Sequence, residues 1–542
     1  MLRVSRTFWA RVLVTITLAY LLPACSNDVS NVTQGTRDGV FHYGNGTEPQ
    51  SLDPHVMTGV PEVNIAAALF EGLVTLNPYT LEVEPGVAES WTFSEDRKII
   101  TFRLNPKARW SNGDPVTAMD FVWSLQRSLD PALGNLNAEQ LFPIKNAEAF
   151  SNGTLSDRNE LGVRALSTHA FELTLEQPTP YILSLLASYV AYPVHRATIE
   201  KFGKASDRFT RWTRVENIVS NGPFTLREWK LNRRVTVDKS DTYWNAHKVK
   251  LNSIVFHPID SAVTEERMFR AGQLHYTQEV PLGKIPVYQA MEDGPYVNAP
   301  YLGTYYYMFN TLQAPMDDVR VRRALAMAID RETLVNTVLK NVFLASYSFT
   351  PPGIPGYQPP RLFNYDPSQA RELLAQAGYA NGKGWPGLEV TYNTSKSHQK
   401  IAIALQQMWK KELNIDVTIV NLEWKVYLDL LSQMDYQMAR AAWIGSYLDP
   451  RTFLGIFIKD GGNNRTGFSS PRFDDLVFRQ APETRTLEAR LAVFHEAESI
   501  LLEQMPIIPL FSYTSNHLIH KSVKGLPSNL MEIQNFKYVW LE

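Results

Sequence analysis

The chain has 542 residues, with 53 Lys and Arg against 55 Asp and Glu, for a formal net charge of -2 at pH 7. Scattered charges in near balance leave no electrostatic footprint for nucleic acid, and the length predicts about two to four structural units, each large enough to bury a core without covalent staples. One cysteine excludes a disulfide-stapled scaffold, while 11% aromatic residues, 12 of them Trp by count, suit a binder that uses flat apolar faces.

At the N-terminus, Arg3, Arg6 and Arg11 precede an uncharged run from Val12 to Leu22, followed by Pro23 and the small Ala24. Basic, then apolar, then small is the pattern of a secretory signal. The run is about half of the ~20 residues a helix needs to cross a bilayer, and no other stretch of the chain is long and uncharged enough to do so. Leu22-Pro23-Ala24-Cys25 resembles the bacterial lipobox, whose cysteine is acylated and becomes the new N-terminus. Cys25 is then a lipid anchor; the alternative is an ordinary signal peptide with an incidental cysteine. Removal of residues 1–24 takes three arginines and moves the net charge from -2 to -5. Residues 25–38 are polar and read as a tether between lipid and fold. Ser26 favours the outer membrane, so the expected location is periplasmic and lipid-anchored.

Along the rest of the chain, "KIITFRLNP" (98–106), "AFELTLEQ" (170–177), "RRVTVDKS" (233–240) and "LEVTYNT" (388–394) alternate apolar with polar residues and predict strands. Helices are predicted at 317–340, where Asp317 and Asp318 favour an N-terminus, at 366–379, capped by Asp366 and closed by Gly378, and at 397–414. Mixed α/β units without long linkers follow.

The stretch "AAALFEGLVTLNPYTLEVEPGVAESWTFSEDRKIITFRLNPKARWSNGDPVTAMDFVWSLQRSLDP" (66–131) closely resembles the signature region of the solute-binding proteins of peptide and nickel ABC importers, extracellular solute-binding family 5. "SNGPFTLREW" (220–229), "DVRVRRALAMAIDRE" (318–332), "FTPPG" (349–353), "LLAQAGY" (373–379) and "PIIPLF" (506–511) are similar to later landmarks of that family in the same order. "EPQSLDPHVMTGVPEVNI" (48–65), "NLEWKVYLDLL" (421–431) and "ARAAWIGSYLDPRTFL" (439–454) resemble its oligopeptide-binding branch. The resemblance implies an α/β, two-lobe periplasmic binding protein, type II-like, with an additional subdomain inserted in lobe I. By analogy, residues 39–70, 197–302 and 514–542 belong to lobe I, 71–196 to the inserted subdomain and 303–513 to lobe II. It implies a monomer that takes a peptide between closing lobes and hands it to a membrane permease driven by a separate ATPase, with no cofactor and no catalysis.

The branch also implies site residues. Val60, Pro61 and Glu62 fall where an extended wall offers main-chain groups to a peptide, a mode that grips backbone without reading side chains; on the residues alone, a plain turn before a helix is the alternative. Trp424 and Trp443 fall at pocket aromatics, although a lone Trp is more often core. Arg440 and His398 fall where peptide carboxylates are held, a guanidinium being able to grip both oxygens; a solvated or core-satisfied role is the alternative, particularly for His398. Ser446 and Tyr447 continue the segment, and Ser446 departs from the pattern: the branch carries there an aspartate that pairs with the peptide α-ammonium. Asp449 is the nearest acid in sequence that could take over, the alternative being an N-blocked or non-peptide ligand such as a cell-wall fragment, an amphipathic acid or a small sugar. Cysteine-bearing members bridge across this region, where Gly303 and Ile444 stand here, so no such bridge forms.

Catalytic and metal readings find little support. His517 and His520, at odd spacing in an extended-looking segment, point to opposite faces. Gly-rich phosphate loops, GxSxG and a cysteine nucleophile are missing from the sequence. Tryptophans with acids leave a secreted glycosidase as the enzyme alternative.

Overall fold

The structure, a computed structural model, describes residues 29–57, 59–459, 461, 463–484 and 486–542. Cys25 and the leader lie outside the described residues, and so does the side chain of Trp424, whose backbone opens the helix Trp424–Gln433.

The first sheet has four strands in the order Val40–Gly44, Ser253–His257, Arg234–Lys239, Phe224–Lys230. Val40–Gly44 runs parallel to its neighbour and the other pairs are antiparallel. Alternation places Phe41 and Tyr43 on the buried face beside Ile254 and Phe256, with Ile65 and Leu69 of the helix Val60–Leu69 against them. Phe536 and Val539, from the far end of the chain, complete this core.

Residues 25–28 of the expected tether lie outside the described residues, and the described part folds differently from the expectation. Asn31–Asp38 is a helix, capped by the Ser30 hydroxyl, which accepts from Thr33 N, and ended by Gly39 at φ 67°. Val32 is buried and its N–H donates to Gly272 O at 2.9 Å, so one apolar residue and two caps dock a segment whose composition is otherwise polar.

The inserted unit carries an antiparallel sheet ordered Ala88–Phe93, Ile99–Leu104, Ala170–Thr174, Val163–Ser167. Its inward residues Ile100, Phe102 and Leu104 share a core with Phe121 and Leu125 of the helix Ala118–Ser128. That helix begins with a capping box, Thr117 answering Asp120. The fully buried members of this core run from Leu73 to Ala191. A bidentate ion pair, Arg127 to Asp53 at 3.0 and 2.6 Å, ties the unit to the first lobe with both side chains almost wholly buried.

The largest sheet has six strands, ordered Leu344–Ala345, Ile507–Leu518, Tyr296–Phe309, Met438–Ile444, Leu388–Asn393, Val417–Leu422. The helix Lys396–Leu413 covers it with Ile401, Leu405 and Trp409 buried, and Pro367–Gln376 is capped by Asp366. The single helix expected over 317–340 is instead Val319–Met327 followed by a new start at Asp330, whose carboxylate accepts from Thr333 N. The break lets fully buried Arg331 reach the carbonyls of Ala326, Ile329 and Pro509.

Two long strands, Tyr296–Phe309 and Ile507–Leu518, run out of this sheet toward the first lobe. There Tyr276 bridges Tyr43 on one side and Ile519 on the other. Their mutual register breaks between the pairs Pro300–Thr514 and Thr304–Ser512. The architecture is two α/β lobes joined by paired strands, with a subdomain inserted into the first.

Candidate functional site

Strand Met438–Ile444 lies in the middle of the six-stranded sheet, and its C-terminal end opens toward the inserted subdomain. Two features are built on it. Arg440 points its guanidinium over the Tyr305 ring, 4.6 Å from the centroid, while Nη2 donates to Tyr513 Oη at 3.0 Å and Nη1 to Asn393 Oδ1 at 3.4 Å. Nε of Arg440 is buried without a partner, and among the described residues the hydrogen-bond partners of its guanidinium are the Asn393 amide and the Tyr513 hydroxyl and no carboxylate. His398, in the first turn of its helix, lies 3.3 Å through Nδ1 from Tyr305 Oη. Burial, with the Arg440 charge adding to it, pushes the His398 imidazole down to about 3, so it is neutral beside the guanidinium. Arg440 and His398 thus meet in one polar cluster that carries an unanswered positive charge.

Beyond Ile444 the chain enters the gap between lobes, where two cavities of about 420 and 680 Å³ share Gln140 and Ser446 in their walls. Such volumes are those of ligand sites. Trp443 and Tyr447 line the larger one, and Val60 and Ser446 the smaller. Arg440 and His398 line neither. Tyr447 stacks on Tyr181 of the inserted subdomain, centroids 4.2 Å apart and planes within 7°, and Asn463 donates to Glu139 at 3.3 Å. These contacts cross the gap, so the structure is a closed form.

Two expectations at this site are corrected. Val60, Pro61 and Glu62 are the first turn of a helix and not an extended wall, because Pro61 fits the first turn, where no donor is required. Of the three only Val60 lines a cavity; Pro61 O accepts from Asn45 Nδ2 at 3.0 Å, and Glu62 accepts from Gln50 N at 2.7 Å. Asp449 is no free counter-charge. It is buried and held by Arg490 through both carboxylate oxygens, and Oδ1 also accepts from Arg451 N at 2.9 Å. Its charge is already answered. Gly303 and Ile444 are direct partners across the antiparallel pair, and Ile444 Cδ1 occupies the space a side chain at 303 would fill.

The smaller cavity also receives residues that no local pattern flags. Glu532 and Gln534 come from the C-terminal segment, and Ser184 from the inserted subdomain; Gln534 Oε1 and Ser184 Oγ are buried without hydrogen-bond partners. Glu71 and Lys537 also line it, 3.6 Å apart as an ion pair. His517 and His520 are engaged separately: His517 Nε2 pairs with Glu532 at 2.7 Å, His520 Nδ1 with Ser522 Oγ at 2.8 Å, and among the described residues no group of metal-ligating side chains assembles.

A two-lobed α/β molecule with a subdomain in its first lobe and a cleft closed by cross-lobe contacts has the form of a type II-like periplasmic binding protein. The family model for the bacterial extracellular solute-binding proteins, family 5, matches residues 82–465, and the chain belongs to that family. It is 38% identical over 494 residues, 89% of this chain and 88% of the other, to the periplasmic oligopeptide-binding protein OppA of Escherichia coli K12. With the periplasmic murein peptide-binding protein MppA of the same organism it shares 38% identity over 490 residues, 89% of each chain. The structure of Haemophilus influenzae OppA in complex with the peptide RPPGFSPFR superposes with a TM-score of 0.79 at 32% identity, covering 93% of this chain and 99% of that one.

Proposed function

We propose that this protein is the substrate-binding component of an ABC importer, capturing peptides between its two lobes and delivering them to a membrane permease whose ATPase is a separate subunit. The observation that carries the reading is Arg440: a half-buried guanidinium whose Nε is buried without a partner, with no carboxylate partner among the described residues, on the strand that leads through Trp443 to the interlobe cavities. A partly desolvated cation without a counter-ion is held at a cost, and a ligand carboxylate answers it with charge-assisted hydrogen bonds. The relatives named for oligopeptide and murein peptide binding support the same class of ligand.

In this reading residues 39–70, 197–302 and 514–542 form the first lobe, 71–196 its inserted subdomain and 303–513 the second lobe, with Asn31–Asp38 docked to the first. The register break at Pro300–Thr304 is where the crossing strands flex, and the Tyr181–Tyr447 stack latches the closed state. The protein works as a monomer without cofactor or turnover. Cys25 tethers it to the outer membrane from the periplasmic side; among the described residues no helix is long and apolar enough to cross a membrane. Ser446 keeps one second reading open, the same transport role with an N-blocked or non-peptide ligand.

A panel of di- to hexapeptides tests the proposal. A ligand at a hundred times its dissociation constant stabilises the closed form by about 2.7 kcal/mol, so binding raises the melting temperature and shrinks the scattering radius. A panel that produces neither effect at millimolar concentration refutes the peptide reading. Native mass spectrometry of protein from its own host then identifies the ligand.

A further inference from the structure

Ser446 leaves the cleft without the carboxylate expected beside a ligand ammonium, and Asp449 is spent on Arg490. The smaller cavity contains another carboxylate. Glu532 enters it from the C-terminal segment, and a short chain of main-chain bonds connects the two places: Leu302 N donates to Leu530 O at 2.7 Å, and Gly445 N donates to Leu302 O at 2.8 Å. Glu532 is thus two residues from one end of this ladder and Ser446 one residue from the other. His517 holds Glu532 in place, with Nε2 2.7 Å from Oε1 and Nδ1 3.1 Å from Thr277 O. Oε2 of Glu532 has no protein donor among the described residues. A second polar side chain lines the same cavity. It is Gln534, whose Oε1 is buried with no hydrogen-bond partner, a loss that a fold tolerates where a ligand supplies the donor.

An ammonium group has three donors and no acceptor. The charged alternatives in the cavity wall are committed elsewhere: Glu71 accepts from Tyr243 Oη and Trp244 Nε1 and faces Lys537. We propose that Glu532 and Gln534 form the ammonium subsite of this protein, taking the free N-terminus of a bound peptide in the place that Ser446 cannot serve. The subsite moves the charge anchor from the second lobe to the C-terminal segment that returns to the first, and it rests on the peptide reading above.

The test uses tetra-alanine and its N-acetylated twin, which differ only at the amine, titrated calorimetrically into the mature protein. Wild type binds the free amine more tightly than the twin by about tenfold or more, as for a charged pair in a partly desolvated site. Glu532→Gln and, independently, Gln534→Leu shrink that preference toward unity while leaving the affinity of the acetylated twin and the melting temperature within error. Ser446→Asp placed on top of Glu532→Gln restores the preference. Equal binding of the twins by wild type, or a preference that survives both substitutions, overturns the subsite and leaves peptide capture standing. Binding of neither twin, with no response to the wider peptide panel, overturns both. A variant that weakens both twins equally with a lower melting temperature assigns Glu532 a structural role and overturns the subsite.

Discussion

Asp449→Asn separates a structural acid from a ligand anchor. In the folded protein the Asp449 and Arg490 side chains are 7% and 2% exposed, and the guanidinium engages both carboxylate oxygens. Nε of Arg490 has no partner, so its other neighbours are ring faces: Phe494 at 4.6 Å and Tyr181 at 5.8 Å from the guanidinium carbon. A cation over an aromatic ring gains about 0.5–2 kcal/mol, well short of a buried counter-charge. The amide keeps one acceptor for Arg451 N but removes the charge, leaving Arg490 buried and uncompensated. Breaking one side of a buried pair costs about 3–5 kcal/mol; with the rings retained, about 3 kcal/mol is expected. At a urea slope near 3 kcal/mol/M, the upper range for a single domain, the midpoint falls by about 1 M. Equilibrium urea unfolding followed by tryptophan fluorescence reads it. Asp449→Asn combined with Arg490→Met should recover most of the loss, since a charge pair replaced by apolar groups of similar volume is close to neutral. An unshifted midpoint, together with loss of discrimination between a peptide and its N-acetylated twin, would refute the reasoning and return Asp449 to the role of anchor.

The other predictions follow from the same structure. Arg440→Gln should weaken peptides with a free C-terminal carboxylate by roughly 30-fold or more, while amidated twins change little; equal losses for both, read by calorimetry, would show that Arg440 supports the fold and not the ligand. Acid should destabilise the first lobe: burial pushes His42 and His55 down to about 4 and His257 and His275 down to about 3, so the folded state refuses protons that the unfolded chain takes near pH 6.5. Stability is then full above pH 6.5 and lost progressively as pH falls toward 3, by several kcal/mol in sum on the order set by linkage. Glu265, raised by burial to about 7, works oppositely and loses its contribution as pH rises through 7, so the net urea midpoint should still fall from pH 6.5 to 4, and a flat profile there contradicts the account. Gly303→Cys with Ile444→Cys should form a disulfide on oxidation, since these are direct Cα partners and the exchange removes the Ile444 methyl that crowds position 303; two titratable thiols after oxidation would contradict it. Cys25→Ser should move the exported protein from the membrane fraction to the soluble one, because acyl chains supply about 0.8 kcal/mol per buried methylene; a wild type already soluble after export would rule out the anchor.

The strands at Ile99–Leu104, Ala170–Thr174, Arg234–Lys239 and Leu388–Asn393 were legible because each alternates apolar with polar residues, and the capped helix after Asp366 because its terminus is written in local chemistry. Ordered motifs were enough for the family, since they survive wherever the backbone must turn or pack closely. Helix Asn31–Asp38 hid behind its polar composition: its buried face is made of Val32 and Gly35, with one large apolar side chain between them. At Val60–Glu62 the fold chose helix over extended wall, and a proline at that point is compatible with either. What the sequence could not decide was pairing across distance. Asp449 reads as available until Arg490, 41 residues on, closes on it, and Tyr181 and Tyr447 share no pattern that foretells their stacking. Glu532 and Gln534 lie in an irregular segment far along the chain, and only the return of that segment beside Leu302 brings them to the cavity that Ser446 lines. Local propensity is a property of a few neighbouring residues and is written along the chain; the charge balance of a cleft depends on which distant groups meet, which only the closed tertiary structure determines.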